Sequence, residues 1–256
     1  MTSSLSVIIP AYNEAIRLGD SLRTIVSYLL EHSPDSEIIV VDDGSKDNTA
    51  ALAREILEDS GPLRTSVISY KLNLGKGRAV RLGLLAARAD VALFSDADLS
   101  TPIAEAPKLV DPIVRGEYDL TFGSRALDRS LIGIHQPWRR EQGGRIFNLV
   151  VRLATGLPFW DTQCGFKAFR MSVCRPLVEA ATVDRFGFDV ELLYLAYRAG
   201  LRLKEIPVRW DHNDDSKLNV LSDSFKAISE VGLIRQQARR GVYDGAIKAV
   251  HDRTEA

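Results

Sequence analysis

The chain has 256 residues, 45% hydrophobic and 26% charged, enough for one full hydrophobic core and inconsistent with a disordered or fibrous chain. The 33 basic and 34 acidic residues leave a formal net charge of −1, which excludes nucleic-acid binding by bulk electrostatics. Leu5–Ile9 reads as a strand ending at Pro10, and Leu18, Leu22, Ile25 and Leu29 then recur at helical spacing. Glu37–Val41 is a second strand, closed by Asp42-Asp43-Gly44-Ser45, and Asp47 or Ser45 can cap the next helix, which runs to about Leu57. Thr65–Tyr70 is a third strand, followed by Asn73-Leu74-Gly75-Lys76-Gly77 and a helix to about Ala89. Val91–Ser95, a helix near Ile103–Arg115 and Leu120–Gly123 continue the alternation. A helical pattern runs from Ser222 to about Arg240.

Strand alternating with helix predicts βαβ units in a mostly parallel sheet, with strands buried on both faces. No stretch of about 18 uncharged apolar residues occurs, so no membrane-spanning helix is expected. Met1–Ser4 lacks a charged segment followed by an apolar one, so no signal peptide is expected. Cys164 and Cys174 set no disulfide framework and no metal-cluster spacing, which suits a reducing, cytoplasmic setting.

Ligands of open α/β sheets bind beyond the carboxyl ends of the strands. The segments at those ends are Pro10–Glu14, Asp42-Asp43, Gly75-Lys76-Gly77, Asp96-Ala97-Asp98 and Ser124-Arg125. Acids, a flexible basic loop and an arginine therefore converge on one edge. Two carboxylates one residue apart at the end of a buried strand need a counter-charge. Hard Mg²⁺ or Mn²⁺ supplies it through oxygen ligands and shares it with substrate phosphates. Asp-x-Asp alone fits a solvated turn equally well; it is the convergence that favours a metal. Gly75-Lys76-Gly77 is not a dinucleotide fingerprint, because Val80 stands where the third glycine is required.

Three ordered motifs resemble family 2 glycosyltransferases: Val7–Glu14, Val40–Thr49 and Asp96–Asp98. The resemblance implies a GT-A (Rossmann-like) α/β fold with a C-terminal acceptor-side extension. It covers about residues 5–220, so one domain over 1–256 is expected. Residues to about 125 would form the nucleotide-sugar half, about 126–220 the acceptor half, and about 221–256 a helical tail. Gly123-Ser124-Arg125, Asp161–Lys167 and Phe186–Glu191 look like the branch that glycosylates polyprenyl phosphates, above all the dolichyl-phosphate β-glucosyltransferases.

The resemblance implies a role for each residue. Pro10, Tyr12, Glu14, Val41 and Asp43 would hold the nucleoside, the acids accepting from base and ribose and the ring stacking on the base. Tyr12 as a packed loop aromatic and Glu14 as a helix-start carboxylate are the plainer readings. Asp96 and Asp98, with Ala97 between them, would hold Mg²⁺ or Mn²⁺ against the diphosphate. No glutamine comes soon after the triplet, where some relatives have one. Lys76 reads as a charge near the nucleotide or as a solvated helix-start lysine. Arg125 and Lys217 match positions that contact phosphates. The mannosyl relatives carry an arginine where Asp211 stands here; Arg209 is a substitute or an ordinary surface arginine. Arg139 and Arg140 would meet the acceptor phosphate, within an arginine-and-aromatic stretch suited to a membrane surface or to an amphipathic helix packed on the sheet. Asp161 would hold the sugar or orient an arginine. If the acceptor is a hydroxyl, Asp161 or Asp189 would have to act as base, and Asp189 also reads as a helix cap. Cys164 reads as a small buried residue.

The reaction implied is metal-dependent, inverting transfer of glucose from UDP-glucose to a polyprenyl phosphate, by a peripheral protein on the cytoplasmic face of a membrane. A hydroxyl acceptor, a GDP-mannose donor and a non-catalytic sugar-nucleotide-binding module are the alternatives.

Overall fold

The computed structural model describes residues 4–134, 138–211 and 220–254, and within these all side chains except those of 138–141, 145 and 220–228. The strands are β1 (Leu5–Ala11), β2 (Glu37–Asp42), β3 (Arg64–Ser69), β4 (Val91–Ser95), β5 (Leu120–Ser124), β6 (Ile132–Ile134), β7 (Phe166–Arg170), β8 (Leu203–Pro207) and β9 (Trp210–Asp211). The helices are α1 (Leu18–His32), α2 (Thr49–Glu58), α3 (Lys76–Ala86), α4 (Ala106–Val114), α5 (Trp138–Thr155), α6 (Met171–Ala180), α7 (Phe188–Arg198), α8 (Val220–Arg239) and α9 (Asp244–Thr254). Seven strands form one sheet in the order β3-β2-β1-β4-β7-β5-β8. All its pairings are parallel except those of β7, which runs antiparallel to both β4 and β5. The expected mostly parallel, helix-flanked sheet is present. β6 and β9 make a separate two-stranded ribbon.

The strands are apolar on both faces because helices cover both faces. Leu5, Val7 and Ile9 pack with Leu22 of α1, Leu57 of α2 and Leu109 of α4. Ile8 points the other way and joins Val80 of α3, Leu177 of α6 and Leu193 of α7. This two-residue alternation within one strand builds two cores. β3 is the mostly exposed edge, carrying Arg64 and serines, which discourages pairing with another chain.

β1 runs one residue past Pro10, the expected stop. Its pairing with β4 ends at Ile8↔Phe94, so the proline lies beyond that ladder while β2 still pairs with it. The order of the sheet reverses between β1 and β4. Chain crossovers there leave a crevice at the carboxyl ends of the strands, which is where the acidic loops emerge.

At the opposite edge Asp119 clamps the chain before β5. Its carboxylate accepts from Arg202 N (2.9 Å), Nε (3.0 Å) and Nη2 (2.8 Å), and Arg170 Nη1 lies 3.2 Å away. Burial works to raise this carboxyl, but Arg202 and then Arg170 outweigh it and hold it below the usual range. A depressed folded value contributes stability that is full above the unfolded value of about 3.9 and is lost as pH falls through the folded value. Urea midpoints at about pH 6 and about pH 3 should therefore differ less in Asp119→Asn than in the parent chain. An unchanged difference would show that the cluster carries no pH-linked stability.

Candidate active site

Asp96 comes directly after β4, and its N–H donates to the carbonyl of Gly165 at 3.0 Å, which ties the triplet to the loop before β7. The Asp96 carboxylate lies directly over the Gly165 Cα. A methyl group at 165 would overlap it, so only glycine leaves that carboxylate its place. Asp98 Oδ1 accepts from Ser100 N at 3.0 Å. Each aspartate faces a cation of the chain. Lys76 Nζ contacts Asp96 Oδ1, and Arg17 Nη1 lies 4.0 Å from Asp98 Oδ2. Arg17 is oriented by a two-pronged pairing with Glu14, Nε to Oε2 at 2.8 Å and Nη2 to Oε1 at 2.7 Å. Burial works against the Lys76 charge, but Asp96, then Asp189 and Asp98, hold its ammonium above the ordinary lysine range.

Arg125, just past β5, pairs with Asp161 in two-pronged fashion, Nε to Oδ2 at 2.6 Å and Nη2 to Oδ1 at 2.8 Å, with Arg125 N donating to Oδ2 at 3.0 Å. Of the two roles expected for Asp161, orienting an arginine is the one its contacts match. Burial raises Asp161, but Arg125 wins and holds the carboxyl low. Glu205 of β8 braces the pair by accepting from Asp161 N (2.8 Å), Trp160 N (2.9 Å) and Ser124 Oγ (2.7 Å). Trp210 lies beneath the Arg125 guanidinium, 5.6 Å from ring centroid to Cζ.

Asp189 is buried and accepts from Lys167 Nζ at 2.6 Å; Lys167 itself is fully buried. Burial raises the Asp189 carboxyl, with Lys167 and Lys76 pulling against it. Asp189 occupies the first turn of α7, but Gly187 is the N-cap and no side chain caps it. The helix-cap reading of Asp189 gives way, because its carboxylate is turned to Lys167 in the sheet.

On the nucleoside side, Pro10 and Val41 are buried and Tyr12 is exposed. Asp43 is buried and accepts from Asn73 Nδ2 (2.9 Å), Leu74 N (2.7 Å) and Gly75 N (2.9 Å). Its carboxylate holds the loop that carries Lys76. Asp42 accepts from Ser45 N at 3.2 Å, as a turn residue does. Asp47 Oδ1 accepts from Thr49 N at 3.0 Å at the start of α2, while Ser45 Oγ instead accepts from Asn13 N at 2.8 Å. Ala97 is buried between the two aspartates. Arg209 is exposed and paired with Asp211, Nε to Oδ2 at 3.1 Å. Arg139 and Arg140 fall in the first turn of α5, and their side chains are outside those described. Lys217 lies outside the described residues. Burial pushes the Cys164 thiol up to about 12, as an inert buried cysteine requires.

Local sequence reading passed over Arg17 and Glu205, and it gave Gly165 and Lys167 no role of their own within the Asp161–Lys167 motif. Lys167 carried a signal: it is a charge between Phe166 and Ala168 in an apolar run, where only a buried partner makes it tolerable.

The described residues hold no group of three or more histidine, cysteine or acidic side chains placed to hold a metal ion by themselves. Asp96 and Asp98 offer hard oxygen donors, and the Gly165 cradle leaves Asp96 room. This donor set fits a divalent ion whose remaining ligands come from a diphosphate and water.

Asp96, Asp98 and the lysine-bearing glycine loop therefore stand at the switch point of the sheet, where open α/β sheets bind their ligands. Residues 6–177 match the model for glycosyl transferase family 2, and the chain belongs to that family. It is 34% identical to the dolichyl-phosphate beta-glucosyltransferase of Dictyostelium discoideum, over 93% of this chain and 76% of that protein. It is 39% identical to the Drosophila melanogaster enzyme of the same name, over 84% of this chain and 69% of that one. Among solved structures it is similar to glucosyl-3-phosphoglycerate synthase of Mycobacterium tuberculosis, with a TM-score of 0.64 and 24% identity, covering 91% of this chain and 80% of that one. The same enzyme in complex with Mn²⁺, UDP-glucose and phosphoglyceric acid gives the same TM-score of 0.64. At this identity the structural likeness speaks for the fold.

Proposed function

We propose that this glycosyltransferase transfers glucose from UDP-glucose to a polyprenyl phosphate such as dolichyl phosphate, with inversion at the anomeric carbon. The observation that carries the proposal is the Asp96/Asp98 pair and the Arg125–Asp161 pair at the carboxyl ends of β4 and β5 on one edge of the sheet, in a chain 34–39% identical to dolichyl-phosphate beta-glucosyltransferases.

Asp96 and Asp98 would hold Mg²⁺ or Mn²⁺. The ion offsets the charge that develops on the leaving nucleoside diphosphate. Tyr12 supplies an exposed ring for the base, with Pro10, Glu14, Val41 and Asp43 forming that wall of the crevice. Arg125 is locked by Asp161 and faces an oxyanion without having to be ordered first. A phosphate acceptor is already ionised near neutral pH, so no side chain has to remove its proton. That agrees with Asp189, which is buried against Lys167 and has no open face to an acceptor hydroxyl. Arg139, Arg140 and Lys217 complete the set of phosphate contacts in this reading.

The acceptor side supports a lipid. Ile146, Leu149 and Leu153 of α5 are 64%, 53% and 78% exposed and recur at i, i+3 and i+7, so they share one outward face. Trp160 is exposed beside them, with the Arg152 guanidinium 3.9 Å from its ring centroid. Apolar side chains bordered by arginine and tryptophan suit a bilayer interface with anionic headgroups. Asn148 Oδ1 accepts from Thr162 N (3.2 Å) and Oγ1 (3.1 Å), which joins α5 to the loop bearing Asp161. No helix among the described residues is long and apolar enough to cross a membrane. The protein would meet its lipid peripherally, on the cytoplasmic face, where reduced Cys164 and Cys174 are at home.

The test is a panel of labelled UDP- and GDP-sugars incubated with the protein, Mn²⁺ or Mg²⁺ and a polyprenyl phosphate. Label from UDP-glucose should enter the organic phase. Transfer from GDP-mannose alone would reassign the donor. Donor hydrolysis without lipid product would overturn the lipid acceptor in favour of a hydroxyl.

A further inference from the structure

Among the described residues four carboxylates and three cations meet around the triplet: Asp96, Asp98, Asp189 and Glu14 against Lys76, Lys167 and Arg17. Arg125 and Asp161 neutralise each other beside them. The crevice therefore carries about one net negative charge by this count, and its two open aspartates already have cations. A divalent ion arriving alone would have to displace Lys76 from Asp96 and leave three cations and the ion against four carboxylates. A diphosphate arriving with the ion offsets the added positive charge and offers the ammonium a new partner.

Lys76 is built to make that exchange. Its backbone is fixed: Gly75 (φ 117°) and Gly77 lie so close under the 183–185 segment that a methyl group at 77 would approach Phe188 Cβ and the Val183 carbonyl to 2.6 Å. Arg78 N donates to the Asp184 carbonyl at 3.0 Å, and Asp43 holds Leu74 N and Gly75 N from the other side. The side chain is free by comparison, with 31% of its surface exposed. An ammonium on a flexible four-carbon stem changes partner by rotamer alone, which a forked guanidinium locked to a carboxylate does not. Lys167, fully buried against Asp189, cannot leave its place. Among the described residues Lys76 is the cation at Asp96 that can.

We propose that Lys76 is an internal counter-ion that holds Asp96 in the donor-free protein and moves to the diphosphate when metal and nucleotide bind, so that each raises the affinity for the other. The proposal rests on Asp96 and Asp98 being the metal ligands. By linkage, the factor by which UDP tightens Mn²⁺ equals the factor by which Mn²⁺ tightens UDP.

The experiment is titration of the full chain with Mn²⁺, free ion followed by electron paramagnetic resonance, with and without UDP. The variants are Lys76→Met, Lys76→Gln and Asp98→Ala, each checked for folding by circular dichroism. Without UDP, Lys76→Met and Lys76→Gln should bind Mn²⁺ on the order of tenfold more tightly than the parent, as removal of one competing charge implies. UDP should tighten Mn²⁺ at least about tenfold more in the parent than in either variant. Equal Mn²⁺ affinity in parent and both variants, with Asp98→Ala weakened, would overturn the counter-ion role and leave the metal site standing. Undiminished Mn²⁺ binding in Asp98→Ala, or none in any form with UDP present, would overturn both.

Discussion

Replacing Asp98 with alanine should lower the transfer rate on the order of 10³-fold while leaving the fold intact, because one of the two carboxylates that would hold the metal against the departing diphosphate is gone. The fold should survive because Asp98 is bound lightly: it accepts from Ser100 N at 3.0 Å and meets Arg17 at 4.0 Å. Losing one such hydrogen bond costs about 1 kcal/mol. Asp98→Asn keeps the acceptor for Ser100 N and removes only the charge, so it should be nearly as slow as the alanine variant if the charge is what matters. Initial rates at saturating donor and Mn²⁺, with melting temperatures alongside, check both. A rate within about tenfold of the parent in Asp98→Ala would remove Asp98 from the metal site.

The second large effect is on stability. Lys167→Met should destabilise the chain by about 3–5 kcal/mol, because it strands the Asp189 carboxylate in a site where both groups are buried. Lys167 Nζ also donates to the Cys164 carbonyl and lies 5.3 Å from the Phe94 ring centroid, so the substitution leaves that carbonyl without its donor too. Lys167→Met combined with Asp189→Leu removes both charges and should recover most of the loss, since apolar pairs of similar volume often replace buried ion pairs at little cost. Urea unfolding at neutral pH, comparing midpoints at constant slope, measures both variants. A single variant within about 1 kcal/mol of the parent would mean that Asp189 finds another partner or is protonated in the native chain.

Much of the carboxyl-end edge of the sheet was legible in the sequence because its signals are local. Apolar runs of four to six residues separated by helical spacing give strand, helix, strand, and the rule that ligands sit beyond strand ends then gathers Tyr12, Asp43, Lys76, Asp96 and Arg125 on one edge. Strand ends came within a residue or two. Pro10 misled because whether a proline stops a strand depends on the neighbouring ladder, and β4 has already ended there. Asp189 looked like a cap because caps are read from the next few residues, whereas its partner is 22 positions away.

The sequence by itself determined the alternation of strand and helix as far as β5 and the acidic residues at those strand ends, since each depends on spacing within a few tens of residues, and its motifs carried the resemblance to the family. Only the tertiary structure decided which charges pair. β7 inserts antiparallel between β4 and β5, and that single placement puts Gly165 under Asp96 and carries Lys167 to Asp189. Arg17 was assigned to Glu14 and Asp98, Arg125 to Asp161, and Lys76 to Asp96, from among several acids each could have served. Ion-pair choice depends on distances of a few ångströms between segments remote in sequence, and those distances exist only once strand order and register bring the segments together.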